Sequence, residues 1–256
     1  MLAQDIEAAE LVLIGIGDEM QVKFQTLKEI PNFSRKLSEL EKEQDKKWLH
    51  PFLIRYYLKK EFHTEIVTAY EHLKRMLSDK NYFLVSLSTD DLIKSIGFKE
   101  DRVVTPCGTY DLLQCETNCS GKLFPIEEEF WAGVCGWVED RVSLKELAEP
   151  KCPDCGRPLV VNQYGQSKYN EEGYLENWQK YTKWLQGTVN RKLCILELGV
   201  GMEFPSVVRW PFEKVCFYNQ KSSFWRVHSS LYQLAEEIKG RGRSVGRDPV
   251  KFLSEQ

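Results

Sequence analysis

Cys115-Glu116-Thr117-Asn118-Cys119 and Cys152-Pro153-Asp154-Cys155-Gly156 give the pattern C-x3-C, 32 intervening residues, C-x2-C. Four thiolates in two close pairs suit a tetrahedral structural zinc with Zn–S bonds of about 2.3 Å. All four ligand positions are then supplied by protein, which leaves none open for catalysis. In Cys152–Gly156 the proline stiffens the turn and the glycine lets the chain fold under a metal. The alternative is four unrelated thiols. Of the other cysteines, Cys194 and Cys216 stand in apolar runs and read as core, and Cys135, near Gly133 and Gly136, has no firm reading. Cys107 stands just after an expected strand and could be a nucleophile, with His50, His63, His72 or His228 as its base.

Two glycine turns follow apolar runs. Gly15-Ile16-Gly17 could bring backbone N–H groups to a pyrophosphate at a helix start. A dinucleotide fingerprint needs a third glycine at position 20, where Met20 stands, and the charges of Asp18 and Glu19 would repel a phosphate. The alternative is that Asp18 caps the next helix. Gly199-Val200-Gly201 repeats the arrangement further on, with a tight strand-to-helix connection as its plain alternative.

The elements that would position these residues read as α/β. Five short runs predict strands: 10–14, 82–86, 102–105, 193–198 and 214–218. Most are near-continuous apolar runs, as strands buried on both faces of a parallel sheet are. Ile66, Ala69, Tyr70, Leu73, Met76 and Leu77 recur at helical spacing, and a second amphipathic helix spans 174–186. Residues 34–47, with only Leu37 and Leu40 apolar, predict a solvated helix or an insertion beside the core. A last helix is expected over 229–239, and the Gly- and Arg-rich stretch after it reads as a flexible, solvated tail. No internal repeat is visible. The expected fold is a Rossmann-like open parallel sheet of the NAD/FAD-binding kind, with a smaller zinc-binding module and a helical insertion. The sheet domain takes 1–31, 79–110 and 159–240, the insertion 32–78, the zinc module 111–158 and the basic tail 241–256.

The chain of 256 residues carries 35 basic and 38 acidic side chains, a net charge of −3. That disfavours a strongly basic nucleic-acid binder. Hydrophobic residues at 42% and charged residues at 29% read as globular. The first apolar run stops at Gly15, far short of the roughly 20 residues that span a bilayer. Residues 1–10 lack the basic start of a signal peptide. These features predict a cytoplasmic protein without a membrane segment, whose cysteines serve as ligands or core rather than disulfides.

The order of these motifs resembles the sirtuins, NAD-dependent protein deacylases, over roughly residues 10–240. Gly15-Ile16-Gly17 matches the family's first glycine turn. Ser86-Leu87-Ser88-Thr89-Asp90 matches its Thr-Gln-Asn-x-Asp strand end, and Cys107-Gly108 its His-Gly pair. The two cysteine pairs match its zinc ligands, Gly199-Val200-Gly201 its Gly-Thr-Ser turn, and Asn219 the Asn that ends a strand. The stretch from Leu196 to Met202 and on through Pro211-Phe212-Glu213 is most similar to the macrodomain-linked class M branch, some of whose members resemble ADP-ribosyltransferases more than deacylases.

The resemblance implies two cofactors, structural zinc and NAD. Gly15 and Gly17 would face the phosphates. Asp90 would hold the nicotinamide amide. Gly199, in the turn with Gly201, and Asn219 would line the adenosine ribose. At the catalytic positions the sequence departs from the family. Cys107 replaces the His that acts as general base, and an ordinary thiol titrates at about 8.5. Class M members usually carry Gln there, so ADP-ribosyl transfer can survive its loss. Ser88 replaces the Asn that positions a water and the nicotinamide ribose, and Leu87 replaces its neighbouring Gln. The readings this leaves are transfer of ADP-ribose from NAD to a protein acceptor, removal of acyl groups from lysine, or a catalytically degenerate sirtuin-fold binding protein held by zinc.

Overall fold

The computed structural model describes residues 1–60 and 63–256. The chain runs α1 (Leu2–Ala8), β1 (Leu11–Ile16), α2 (Phe24–Lys28), α3 (Pro31–Lys42), α4 (His50–Lys60), α5 (Thr64–Met76), β2 (Asn81–Ser86), α6 (Leu92–Ser95) and β3 (Val103–Val104). It continues with β4 (Gly108–Cys115), β5 (Leu123–Pro125), α7 (Glu128–Val138), β6 (Leu159–Gln163), α8 (Glu172–Gln186) and β7 (Leu193–Leu198). It ends with α9 (Arg209–Tyr218), β8 (Ser222–Val227), β9 (Gly242–Val245) and α10 (Pro249–Ser254).

Six strands form one parallel sheet in the order β3-β2-β1-β7-β8-β9. Every residue of β1 and β7 is buried, which is why both read as apolar runs, broken in β7 only by Glu197. The two faces carry different layers. Val12, Ile14 and Ile16 pack with α1, α5 and α10 through Leu2, Ile6, Tyr70, Leu73, Val250 and Leu253. Leu11 and Leu13 face α8 and α9 through Tyr181, Phe212 and Cys216.

The second core is composite. Strands β5-β4-β6 form a small antiparallel sheet. Leu113, Val134, Trp137, Val138 and Val161 of this module share one apolar cluster with Leu27, Phe33, Leu37, Leu40, Phe52, Leu53 and Tyr57 of α2–α4. The insertion and the zinc module thus stabilise each other, and α3 is half of that interface rather than a solvated helix. The helix α5, expected within the insertion, belongs to the parallel-sheet core. Residues 61 and 62 of the expected insertion lie outside the described residues.

Three expectations are corrected at the C-terminal side. The run 214–218 is helix, the end of α9. Phe212 and Cys216 point inward one turn apart, while Phe217 is 44% and Tyr218 79% exposed, so the run never had two buried faces. The strand of this region is β8, concealed in the sequence by Arg226, whose charge is paired with Glu197 of β7 at 2.8 Å. Residues 229–239 form a connection with one short 3-10 turn, Glu236–Ile238, instead of a helix. The expected flexible tail is ordered: β9 pairs with β8, and α10 packs on α5. Asp248 caps α10, its carboxylate accepting from Val250 and Lys251 N–H.

The fully buried Leu253 provides the test. Leu253→Ala is expected to cost about 2–5 kcal/mol in chemical denaturation, as a core truncation does. A solvated tail would leave the midpoint unchanged.

Candidate functional site

The four expected zinc ligands come together. Cys115 ends β4, and the turn to Cys119 passes through Asn118 at φ 49° with its N–H on Cys115 O at 2.8 Å. The second knuckle closes with Gly156 at φ 74°, its N–H on Cys152 O at 2.8 Å. Cys115 and Cys155 Sγ lie 3.5 Å apart, Cys119 and Cys152 Sγ 3.7 Å, and all four sulfurs within 4.8 Å of one another. Tetrahedral Zn–S bonds of about 2.3 Å put sulfurs about 3.8 Å apart, whereas a disulfide needs about 2.05 Å. The cluster therefore fits a closed, structural zinc. Elemental analysis is expected to find one zinc per chain. Cys155→Ser should remove most of it and lower the melting temperature, and chelation of the wild type should do the same.

The second candidate site lies at the carboxyl ends of β1, β7 and β8. Taken in chain order, the parallel strands run 3-2-1-4-5-6, so connectivity reverses between β1 and β7. Ligands of open α/β sheets bind in that crevice. The two expected glycines of the first turn serve packing. A Cβ at Gly15, inside β1, would lie 2.4 Å from Val208 Cγ1, and one at Gly17 would lie 2.1 Å from Gly199 O. Gly199, at φ 61°, makes the turn after β7.

The acidic pair after Gly17 fills the crevice. Asp18 does not cap the short turn it starts; its Oδ1 accepts the Gly201 N–H at 3.2 Å. Glu19 Oε2 accepts the Ser229 N–H at 3.0 Å, and the Ser229 hydroxyl donates to Glu19 Oε1. His228, beside it, accepts the Ser230 and Leu231 N–H groups on Nδ1, each at 3.1 Å. That nitrogen therefore carries no proton, and burial lowers the ring's pKa against the opposing pull of Glu19. Its 3.3 Å approach to Glu19 Oε1 is then not an ion pair. The corner between Asp18, Gln21, Leu87, Thr89, Tyr164, Gly201, Glu203 and Phe204 is about 40 Å³, and a separate hollow of about 360 Å³ lies on the other side of Glu19 and Gln21, against His63 and Asp248. The corner holds about three waters.

Ser88 and Asp90 are brought together, in the loop after β2. The Ser88 hydroxyl donates to Asp90 Oδ1 at 2.8 Å, and Asp90 also accepts Val22 N–H at 2.9 Å and Leu92 N–H at 3.2 Å. Burial raises the Asp90 pKa against these bonds. The carboxylate thus ties the loop after β1 to the loop after β2. Cys107 is buried, and burial, then the charge of Glu203, pushes its thiol up to about 12. It is a neutral thiol at pH 7, and the charge that acts on it is a carboxylate rather than a histidine. Of the histidines, His50 stacks edge-on to Phe24 and His63 Nε2 lies 3.3 Å from Tyr57 O. His72 lies within α5, and His228 is engaged as described. Asn219 is not at a strand end. It follows α9 and donates to Thr188 O and Arg191 O at 3.1 and 3.0 Å, beside the amino end of β7, away from the crevice. The residue that follows β8 at the crevice is His228, which sequence reasoning named only as a possible base for Cys107 because β8 was hidden.

Next to Asp90, Asp91 sits at φ 59° with its side chain 2% exposed. Lys94 Nζ is 3.4 Å away. The neighbouring Asp111 is held by Arg55 and Lys59, each at 3.0 Å. Burial, partly offset by Lys94 and reinforced by Asp111, raises the Asp91 carboxyl to about 6. The folded chain then holds a proton that the unfolded chain has already released. The resulting stability is fully present below the ordinary carboxylate range and is lost as pH rises through about 6. Asp91→Asn should raise the melting temperature at pH 7.5 and flatten its dependence between about pH 4 and 6. An unchanged pH profile would contradict this assignment.

No family model matches the sequence. A "Protein ADP-ribosyltransferase" of Staphylococcus aureus (strain Mu50 / ATCC 700699) is 22% identical over 94% of this chain and 81% of its own length. A "Probable bifunctional ADP-ribose hydrolase/ADP-ribosyltransferase" of Fusarium oxysporum f. sp. cubense is 29% identical over 51% of this chain, which spans 23% of that protein. Among solved structures, a Sir2 with a p53 peptide and NAD+ is 15% identical, covering 98% of this chain and 94% of that one, with a TM-score of 0.52. A mutant Sir2 homologue in complex with ADP-ribose is 14% identical, covering 99% and 93%, also at 0.52. The sheet order, the four-cysteine cluster and these structural neighbours agree: the chain has the sirtuin fold.

Proposed function

We propose that this chain takes NAD in the crevice between β1 and β7 and passes its ADP-ribose to a protein acceptor. The carrying observation is the reversal of strand order between β1 and β7, with glycine turns at both strand ends, where open α/β sheets bind dinucleotides. The Staphylococcus relative, named a protein ADP-ribosyltransferase and aligned over 94% of the chain, supports the same reaction class. Transfer is favoured over lysine deacylation because Cys107 stands where the family's general base stands, and its thiol, pushed up to about 12, holds its proton. In this reading the four-cysteine cluster holds zinc as a structural ion. The protein works in the cytoplasm, and no membrane contact is part of the reading: among the described residues no helix is long and apolar enough to cross one.

As arranged, the residues do not fit the dinucleotide. Beside Asp18 and Gly201 only about 40 Å³ is open, far below the roughly 300 Å³ of an ordinary ligand pocket, and the hollow of about 360 Å³ on the far side of Glu19 and Gln21 does not include the Gly201 turn. Two carboxylates also stand on the backbone N–H groups that phosphates would need. The same observation favours a second reading, a catalytically degenerate sirtuin-fold protein that binds a partner on its zinc-held scaffold.

Calorimetric titration of the zinc-loaded chain with NAD, paired with a nicotinamide-release assay, separates the two. Saturable binding in the micromolar to millimolar range, with slow nicotinamide release, is expected for the first. Absence of heat and of release up to millimolar NAD would favour the second.

A further inference from the structure

We propose that Asp18 and Glu19 are an internal shutter on this crevice: their carboxylates occupy the sites where an anionic dinucleotide would bind. The inference rests on the reading above and names how that site is regulated.

Backbone N–H groups that converge beyond the ends of strands can hold an anion, because their dipoles point at one place. Here the two turns that close the crevice offer the Gly201 N–H and the Ser229 N–H and hydroxyl. Each is already engaged: Gly201 with Asp18 at 3.2 Å, Ser229 with Glu19 at 3.0 Å through its N–H and also through its hydroxyl. The glycines that would let a ligand approach are filled by the same two side chains. A Cβ at Gly199 would meet Glu19 Cβ at 2.6 Å, and one at Gly201 would meet Asp18 Oδ1 at 2.7 Å. A phosphate cannot share these donors with a carboxylate, on grounds of both space and charge.

The shutter is one short segment. Asp18, Glu19 and Met20 form a single 3-10 turn that starts at Gly17. The segment is fixed at both ends. Gly17 N–H holds Leu198 O at 2.8 Å, and Val22 N–H holds Asp90 at 2.9 Å. Between these anchors only Met20 is buried in the core, where its carbonyl takes the Tyr70 hydroxyl at 2.9 Å. Rotating the two carboxylates outward frees the donors of β7 and β8 without breaking a strand. Binding of an anion and closure by Asp18 and Glu19 are then mutually exclusive, and the apparent affinity for the dinucleotide is lowered by the fraction of chains that are closed.

The test compares the full-length wild type with Asp18→Ala/Glu19→Ala and with the near-isosteric Asp18→Asn/Glu19→Gln, which keeps the shape if the alanine pair folds poorly. NAD and ADP-ribose are titrated calorimetrically, and amide hydrogen exchange is followed at Gly201 and Ser229. The expected result is about tenfold or greater tightening of binding in the alanine pair, and a smaller tightening in the amide pair, which removes the charge but keeps the shape. The two amides should also exchange faster in the free alanine variant than in wild type, and be protected again by ADP-ribose. Equal, measurable affinity in wild type and variants would overturn the shutter and leave NAD binding intact. No binding by any protein up to millimolar ligand, with both amides freed in the alanine pair, would overturn the NAD reading and the shutter with it.

Discussion

The backbones of β1 and β7 touch where the strand order reverses. Gly17 N–H donates to Leu198 O at 2.8 Å, and Glu19 N–H reaches Gly199 O at 3.2 Å. At Gly17 even a methyl group would sit 2.1 Å from the Gly199 carbonyl oxygen. Backbone donors and acceptors cannot be left unpaired in a buried place. This contact therefore fixes the direction in which both turns leave the sheet. It brings the residue after Gly17 within reach of the turn after β7, and it makes side-chain identity at positions 18 and 19 decide what the crevice holds. With small or neutral side chains there, converging N–H groups would face open space. With Asp18 and Glu19, the protein satisfies them itself.

The turn after β7 is held from behind by a buried ionic network. Arg226 of β8 grips Glu197 of β7 with Nε and Nη2 at 2.8 and 2.9 Å, and its Nη1 reaches Glu213 of α9 at 2.9 Å. Arg209, at the start of α9, donates to Val200 O at 2.8 Å and to Leu231 O. A charge this deep is tolerated only when fully partnered. The network ties β7, β8 and the connections after them into one wall. Across the crevice from it stands the segment after β1. On the other side, Asp90 joins that segment to the loop after β2, so the same carboxylate that resembles a nicotinamide contact also limits how far the segment can swing.

Much of this was legible in the sequence because it rests on local patterns. The paired cysteines, the continuous apolar runs of β1, β2 and β7, and the helical stripe from Ile66 to Leu77 each carry their own spacing. What escaped depends on partners distant in the chain. A strand containing Arg226 looks polar until Glu197 is placed beside it, and Lys214–Tyr218 looks like a strand until Phe217 and Tyr218 are found facing solvent. The Gly- and Arg-rich stretch reads as a tail because its strand pairs only with β8, which had gone unseen. The repulsive character of Asp18 and Glu19 was visible from their charge. Their engagement by Gly201 and Ser229 was not, since it spans 183 and 210 residues of sequence.

The proposed shutter closes a dinucleotide site between β1 and β7 with the chain's own carboxylates. A crystal structure of the chain grown with ADP-ribose tests this most directly. The predicted result is a diphosphate on the Gly201 and Ser229 N–H groups, with the Asp18 and Glu19 side chains turned away and the Gly17–Leu198 contact unchanged. ADP-ribose bound elsewhere, with Asp18 still on Gly201 and Glu19 still on Ser229, would contradict it.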